Sequence, residues 1–174
     1  MTTATISDKK VFFDELVKVV GKDNASMEKE DILPYCRDEV SQALKVYTAD
    51  YVVMPANVEE IQAIVRLANK YKVPIYPYSF GVSISSAAVP RSGGLMLVTR
   101  KMDQILEINE ETMTATIEPG VTWSKLIYEL NLRGYEVLPL GGGPHSGSLV
   151  GNFVLGGGNT GGIDMNEEVS IEVV

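Results

Sequence analysis

The chain has 174 residues, 45% of them hydrophobic, with 16 glycines and a formal net charge of −8. That length can bury one sizeable core or two small lobes, and the composition fits a globular domain with functional loops. The acidic balance, with no Lys/Arg cluster, excludes a nucleic-acid-binding surface, and the single cysteine, Cys36, excludes a disulfide framework, a CxxC redox pair and a cysteine-rich metal site.

Residues 8–20 carry Val11, Phe12, Leu16, Val19 and Val20 at helical spacing, and Gly21 supplies the stop. Residues 22–50 are irregular and polar, which predicts a surface connector with little regular structure. Cys36 within it is expected to be a partly buried small side chain. Tyr51 to Met54 reads as a short strand ended by Pro55. Asn57 can then cap a helix, with Glu60 as its capping-box partner. Val58, Ile61, Ile64, Val65 and Ala68 form its apolar stripe as far as Tyr71, and Val73 to Tyr76 is the next strand. Leu95 to Thr99 is another strand, Met102 to Ile108 a turn or extended segment, and Thr112 to Ile117 alternates as a strand.

Glu118-Pro119-Gly120 is a sharp turn. Thr122 caps a helix from Trp123 to Arg133 whose buried face holds Leu126, Ile127 and Leu130, and Gly134 ends it. Val137 to Leu140 and Val169 to Val174 complete the predicted strands. The last of these stops without a turn or polar tail, so the domain is expected to be incomplete at its C-terminus. No basic-plus-apolar start resembles a signal peptide and no apolar run approaches the roughly 20 residues of a membrane span, so a cytoplasmic protein is expected.

Two segments stand out chemically. Ser79, Gly81, Ser83, Ser85, Ser86, Ala87 and Ala88 leave the main chain almost bare after the second strand, so its N–H groups can approach an anion closely. Gly141 to Gly162, GGGPHSGSLVGNFVLGGGNTGG, repeats that character after the strand at Val137. Two such loops point to one extended ligand gripped from two sides, and a dinucleotide with a central pyrophosphate fits. Neither loop leads into a convincing helix, so a Rossmann fingerprint is excluded, and there is no GxxxxGK[ST] for a P-loop. No paired carboxylates converge; Glu59, Glu60, Asp103 and Glu107 read as solvated charges. No metal site is predicted.

The runs PIYPYSFGVS, AVPRSGGLMLVTRKMDQILEIN, ATIEPGVTWSKL and SLVGNFVLGGG resemble, in order from about Tyr51 onward, the FAD-binding domain of the vanillyl-alcohol oxidase/p-cresol methylhydroxylase flavoproteins. The flavoprotein of glycolate oxidase and the D-lactate dehydrogenases belong to that family. The resemblance implies an α+β fold, with a small βαβ lobe and part of a second mixed-sheet lobe flanked by helices. It implies a division into residues 1–50, N-terminal helix and connector, and residues 51–174, the FAD-binding domain. It further implies an FAD-dependent oxidoreductase acting on CH–OH, of 2-hydroxy acids first and of aryl alcohols or phenols as the alternative. A flavin electron-transfer module without its own substrate site is a further alternative.

Carried onto this sequence, the pyrophosphate loop is Pro77, Tyr78, Ser79, Phe80, Gly81, Val82 and Ser83, extended by Ile84, Ser85 and Ser86. Pro119, Gly120 and Val121 lie toward the adenine end or the pyrophosphate. Gly142, Gly143, His145, Ser146, Gly151, Asn152, Gly156, Gly157 and Gly158 approach the flavin. Serines stand where the family's first loop is richer in glycine; they are small and add hydroxyl donors. Some relatives attach FAD through a histidine in that loop, and none stands between Tyr76 and Pro90, which implies non-covalent binding. His145, the only histidine, is either a flavin contact or an exposed loop imidazole. Tyr76, Tyr78, Trp123 and Tyr128 could stack on the cofactor, with core packing the stronger reading for Trp123. The substrate would bind through a cap domain or partner subunit, which would also supply the base, and an electron-transfer partner is a further expectation.

Overall fold

The computed structural model describes residues 6–38, 47–83, 86, 88–136 and 144–154. In chain order they form α1 (Ile6–Val20), β1 (Ala25–Ser26), α2 (Lys29–Ile32), β2 (Tyr51–Val53), α3 (Val58–Tyr71), β3 (Ile75–Tyr78), β4 (Leu95–Val98), β5 (Ile105–Asn109), β6 (Thr114–Ile117), α4 (Trp123–Leu132) and α5 (Leu149–Val154). Helices and sheets mix as the α+β expectation required. The expected strands at Val137–Leu140 and Val169–Val174 lie outside the described residues, as do Ile84, Ser85, Gly142, Gly143, Gly156, Gly157 and Gly158.

The main sheet has the order β1-β2-β4-β3, with β2 and β3 parallel to β4 and β1 antiparallel to β2. Leu95, Met96, Leu97 and Val98 are all buried, the continuous apolar run required of a central strand covered on both faces. The strand–helix–strand unit read from the sequence is present, yet its two strands are not neighbours, because β4 returns between them. β3 also starts two residues later than expected. Lys72 takes the left-handed conformation (φ 56°) as the C-cap of α3, and the turn it opens uses the residues up to Pro74.

Side chains alternate across the sheet with period two. Tyr51, Val53, Leu95 and Leu97 face Phe12, Leu16, Val20 and Ile64 of α1 and α3; Val52, Tyr78, Met96 and Val98 face Ile32, Cys36 and Ala49. α3 presents its apolar stripe because its start is fixed: Asn57 Oδ1 accepts the Glu60 N–H at 2.9 Å, and Glu60 Oε2 accepts the Ala56 N–H at 2.8 Å. The segment expected to be an irregular connector adds β1 to the sheet edge and tucks Ile32 and Cys36 under its second face. A two-residue strand and a single helical turn are too short to leave a periodic trace. Cys36 is buried, donates to the Ile32 carbonyl and accepts the Ala49 N–H at 3.3 Å; burial pushes its thiol pKa up.

Asp50 joins the two ends of this lobe. Its Oδ1 pairs with Lys9 Nζ of α1 at 2.6 Å, and its Oδ2 accepts the Gly94 N–H at 2.8 Å just before β4. Beyond β4 the chain forms an antiparallel hairpin of β5 and β6, whose turn is held by Asn109 Oδ1 accepting the Glu111 and Thr112 N–H groups. Thr122 Oγ1 accepts the Lys125 N–H and starts α4, which buries Trp123 and Leu126. No helix among the described residues is long and apolar enough to cross a membrane.

Candidate functional site

The chain crosses from β3 to β4 through residues 79–94 with no helix among the described residues, so this bare loop is itself the parallel crossover. It rests on Tyr78, whose ring is buried and packs edge-on against Tyr35 with centroids 5.4 Å apart. Gly81 lies over that phenol at φ 72°, and a Cβ there would meet Tyr78 Cζ at 2.9 Å, with the hydroxyl closer still. Only glycine lets the loop lie so flat. Burial raises the Tyr78 pKa, and the Arg100 guanidinium pulls it partly back.

Arg100 ties the loop's first peptide to the end of β4. Its Nε donates to the Ser79 carbonyl at 2.7 Å, and its guanidinium carbon stands 4.9 Å from the Phe80 ring centre, 5.6 Å from that of Tyr35 and 5.7 Å from that of Tyr78. Farther along, Ser83 is buried, and Ser86, at φ 55°, gives its N–H to Asp38 Oδ2 at 2.8 Å. Phe80, Gly81 and Val82 offer three successive main-chain N–H groups that meet no acceptor among the described residues.

The Glu118-Pro119-Gly120 turn joins both loops. Pro119 O accepts Ser79 Oγ at 3.3 Å from the first loop and Ser148 Oγ at 2.7 Å from the second. Ser148 Oγ in turn accepts the Gly151 N–H at 3.0 Å, capping α5. Gly147 packs against Val82: a Cβ there would stand 3.4 Å from Val82 Cγ2. The two small-residue loops therefore abut, with Pro119 between them.

Not every anticipated residue faces open space. Val121 is fully buried, its N–H donating to Glu118 O and its carbonyl accepting from Leu149. Gly120 is buried too, donating to Met102 O at 2.6 Å. Pro77 is exposed in β3; His145 and Ser146 are exposed, and the His145 carbonyl accepts from Ser124 N and Oγ at 2.9 and 3.1 Å. Asn152 lies in α5, a helix inside the loop whose glycine-rich sequence predicts none. Trp123 is buried at the start of α4, in line with core packing, whereas Tyr128 is exposed. Sequence reasoning missed Arg100, Asp38 and Ser148. Only Ser148 had a local signal, a cap residue before the apolar Leu149-Val150.

Among the described residues no group of His, Cys, Asp and Glu is arranged to hold a metal ion. A shallow groove of about 400 Å³ between α1 and α3, lined by Glu15, Lys18, Ala63, Arg66 and Lys70 among others, includes no residue of either loop.

Residues 49–170 match the sequence family described as FAD binding domain. The chain is 34% identical over 121 residues to glycolate oxidase subunit GlcD of Bacillus subtilis (strain 168), covering 70% of this chain and 25% of that protein. It is 31% identical over 119 residues to the 4-cresol dehydrogenase [hydroxylating] flavoprotein subunit of Pseudomonas putida, covering 66% and 23%. The chain thus spans about a quarter of the length of these relatives. Among solved structures, p-cresol methylhydroxylase with substrate bound superposes with a TM-score of 0.76 at 24% identity, over 87% of this chain and 30% of that one. An alkyldihydroxyacetonephosphate synthase superposes with a TM-score of 0.70 at 25% identity, over 83% and 31%. The chain therefore belongs to the FAD-binding domain family of the vanillyl-alcohol oxidase/p-cresol methylhydroxylase flavoproteins, and its cofactor is FAD.

Proposed function

We propose that this chain is the FAD-holding part of an oxidoreductase that oxidises a 2-hydroxy acid of the glycolate or lactate type, with the flavin bound non-covalently. One observation carries the cofactor reading: the two small-residue loops meet at the Pro119 carbonyl, beside three successive N–H groups at Phe80, Gly81 and Val82 that have no acceptor among the described residues. Such a run of main-chain donors fits a diphosphate, which carries negative charge and accepts several hydrogen bonds at once. Ser79, Ser83, Ser85 and Ser86 are assigned to that side. His145, Ser146, Gly151 and Asn152, with Gly142, Gly143 and Gly156 to Gly158, are assigned to the flavin side. Pro119, Gly120 and Val121 hold the junction, the buried Val121 through its packing and its main-chain bonds to Glu118 and Leu149.

When bound, FAD supplies a two-electron acceptor for a hydride from the substrate's C–H bond. The chain's own residues bind and orient the cofactor. Residues 51–174 form the unit that does this, with residues 1–50 as its helix and connector. The substrate base and substrate pocket belong to a cap domain or a partner subunit, an electron-transfer partner takes the electrons onward, and the assembly works in the cytoplasm. Similarity to the glycolate oxidase subunit supports the 2-hydroxy acid reading. Similarity to the 4-cresol dehydrogenase subunit, together with the run Tyr76 to Gly81, supports a phenol or aryl alcohol as the second reading.

The test is reconstitution. The purified chain mixed with FAD is expected to retain a visible flavin absorption band after gel filtration and to release all of it into the supernatant on acid precipitation. A chain that retains no flavin refutes the cofactor site, and colour that stays with the precipitate refutes non-covalent binding. Anaerobic mixing of the flavin-loaded complete protein with glycolate, D-lactate or 4-cresol then separates the substrate readings by which one bleaches the band. The chain alone is expected to turn over none of them.

A further inference from the structure

We infer that Arg100 is a positioning residue for the cofactor's diphosphate, acting through the Ser79–Phe80 peptide; this rests on the FAD reading above. In the parallel ladder of β3 and β4, the Thr99 N–H donates to the Tyr78 carbonyl at 2.9 Å. Continued by one step, the ladder would send the Phe80 N–H into the Thr99 carbonyl. That bond is absent among the described residues. Instead the Thr99 carbonyl accepts the Met102 N–H at 3.0 Å, and Arg100 Nε takes the Ser79 carbonyl at 2.7 Å. In a planar trans peptide the N–H points opposite to the C=O. A guanidinium holding Ser79 O on one side therefore leaves the Phe80 N–H facing the other, where it meets no acceptor among the described residues.

The grip is specific to arginine. Tyr35 from one segment, and Tyr78 and Phe80 from the end of β3 and its loop, surround the guanidinium at 4.9 to 5.7 Å, which fixes the plane in which Nε donates. No carboxylate among the described residues pairs with it. A lysine would keep the charge and lose the fixed plane.

The experiment uses the full chain with Arg100→Lys and Arg100→Gln, and Lys101→Ala as a control for loss of a neighbouring charge. FAD and ADP affinities are measured by calorimetry, the ligand-free unfolding midpoint by circular dichroism, and the Phe80 amide proton by NMR with and without saturating ADP. Losing one hydrogen bond to a charged group predicts a fall in affinity of about ten- to a hundred-fold for both ligands. That fall is expected in both Arg100 variants, with the ligand-free midpoint little changed. The Phe80 amide is expected to move downfield with ADP in the parent and not in Arg100→Lys. If Arg100→Gln does not fold, Arg100→Lys decides. Wild-type affinity in Arg100→Lys, an undiminished Phe80 shift in that variant, or an equal loss in Lys101→Ala would overturn the inference. A parent chain that binds neither FAD nor ADP would instead remove the FAD reading itself, and this inference with it.

Discussion

Replacing Gly120 with alanine tests the junction between the two loops. A Cβ at that position stands 2.6 Å from Met102 O, 2.7 Å from Thr99 O and 2.9 Å from Arg100 O. Ordinary carbon–oxygen contacts begin near 3.3 Å, so each is short by several tenths of an ångström. All three atoms are main chain, so none can swing aside as a side chain would. Overpacking commonly costs about 1–3 kcal/mol, and three backbone clashes at once place this change near about 3 kcal/mol. Straining the 2.6 Å bond from Gly120 N to Met102 O adds to that. For a domain of this size each kcal/mol moves the thermal midpoint by about 2–4 °C, so a fall of about 6–12 °C is expected. Urea unfolding followed by circular dichroism should give a lower midpoint at an unchanged slope. Because the Pro119 carbonyl must shift with its neighbour, FAD affinity should fall too. A variant melting within about 2 °C of the parent, with FAD binding intact, would refute the claim that this turn is wedged against Thr99–Met102.

Three further outcomes follow from the packing and the titrating groups. Ser148→Ala removes both the bond to Pro119 O and the cap of α5; a loss of about 1–2 kcal/mol is expected, read as a lower urea midpoint. Leu16 is fully buried between α1 and the sheet, so Leu16→Ala should cost about 2–5 kcal/mol, again by urea titration, and a loss below 1 kcal/mol would contradict the core placement. Burial, with Asp50 beside it, raises the Tyr51 pKa from 10.0 to about 12, so the folded state favours the neutral phenol. Its contribution is complete below pH 10 and is lost as pH rises toward 12. Tyr51→Phe should therefore flatten the fall in unfolding midpoint between pH 10 and about 12, and an unchanged slope would count against it.

The long helices were legible because their caps and stripes are local. Asn57 with Glu60, and Thr122 before Trp123, mark starts that the backbone confirms within a residue. Sheet order was not legible. Nothing in Leu95–Val98 announces that this strand returns between two earlier ones, since that position is set by the loop's path and not by side-chain period. The bareness of residues 79–88 was plain, and so was the sharp turn at Pro119. Their meeting was not, because it depends on hydroxyls at Ser79 and Ser148, far apart in sequence, sharing one carbonyl. The surroundings of Arg100 were invisible for the same reason: Tyr35, Tyr78 and Phe80 converge only in the fold.

Pro77 has a consequence for how copies of this molecule meet. Among the described residues β3 is the outermost strand of its sheet, and its even-numbered residues bond inward to β4, as Tyr78 O does with Thr99 N. The odd-numbered positions thus turn their amides outward, and at Pro77 that amide carries no hydrogen. A strand from another copy, arriving alongside, would find a missing rung where it most needs one. Self-association by pairing along the β3 edge is thereby disfavoured.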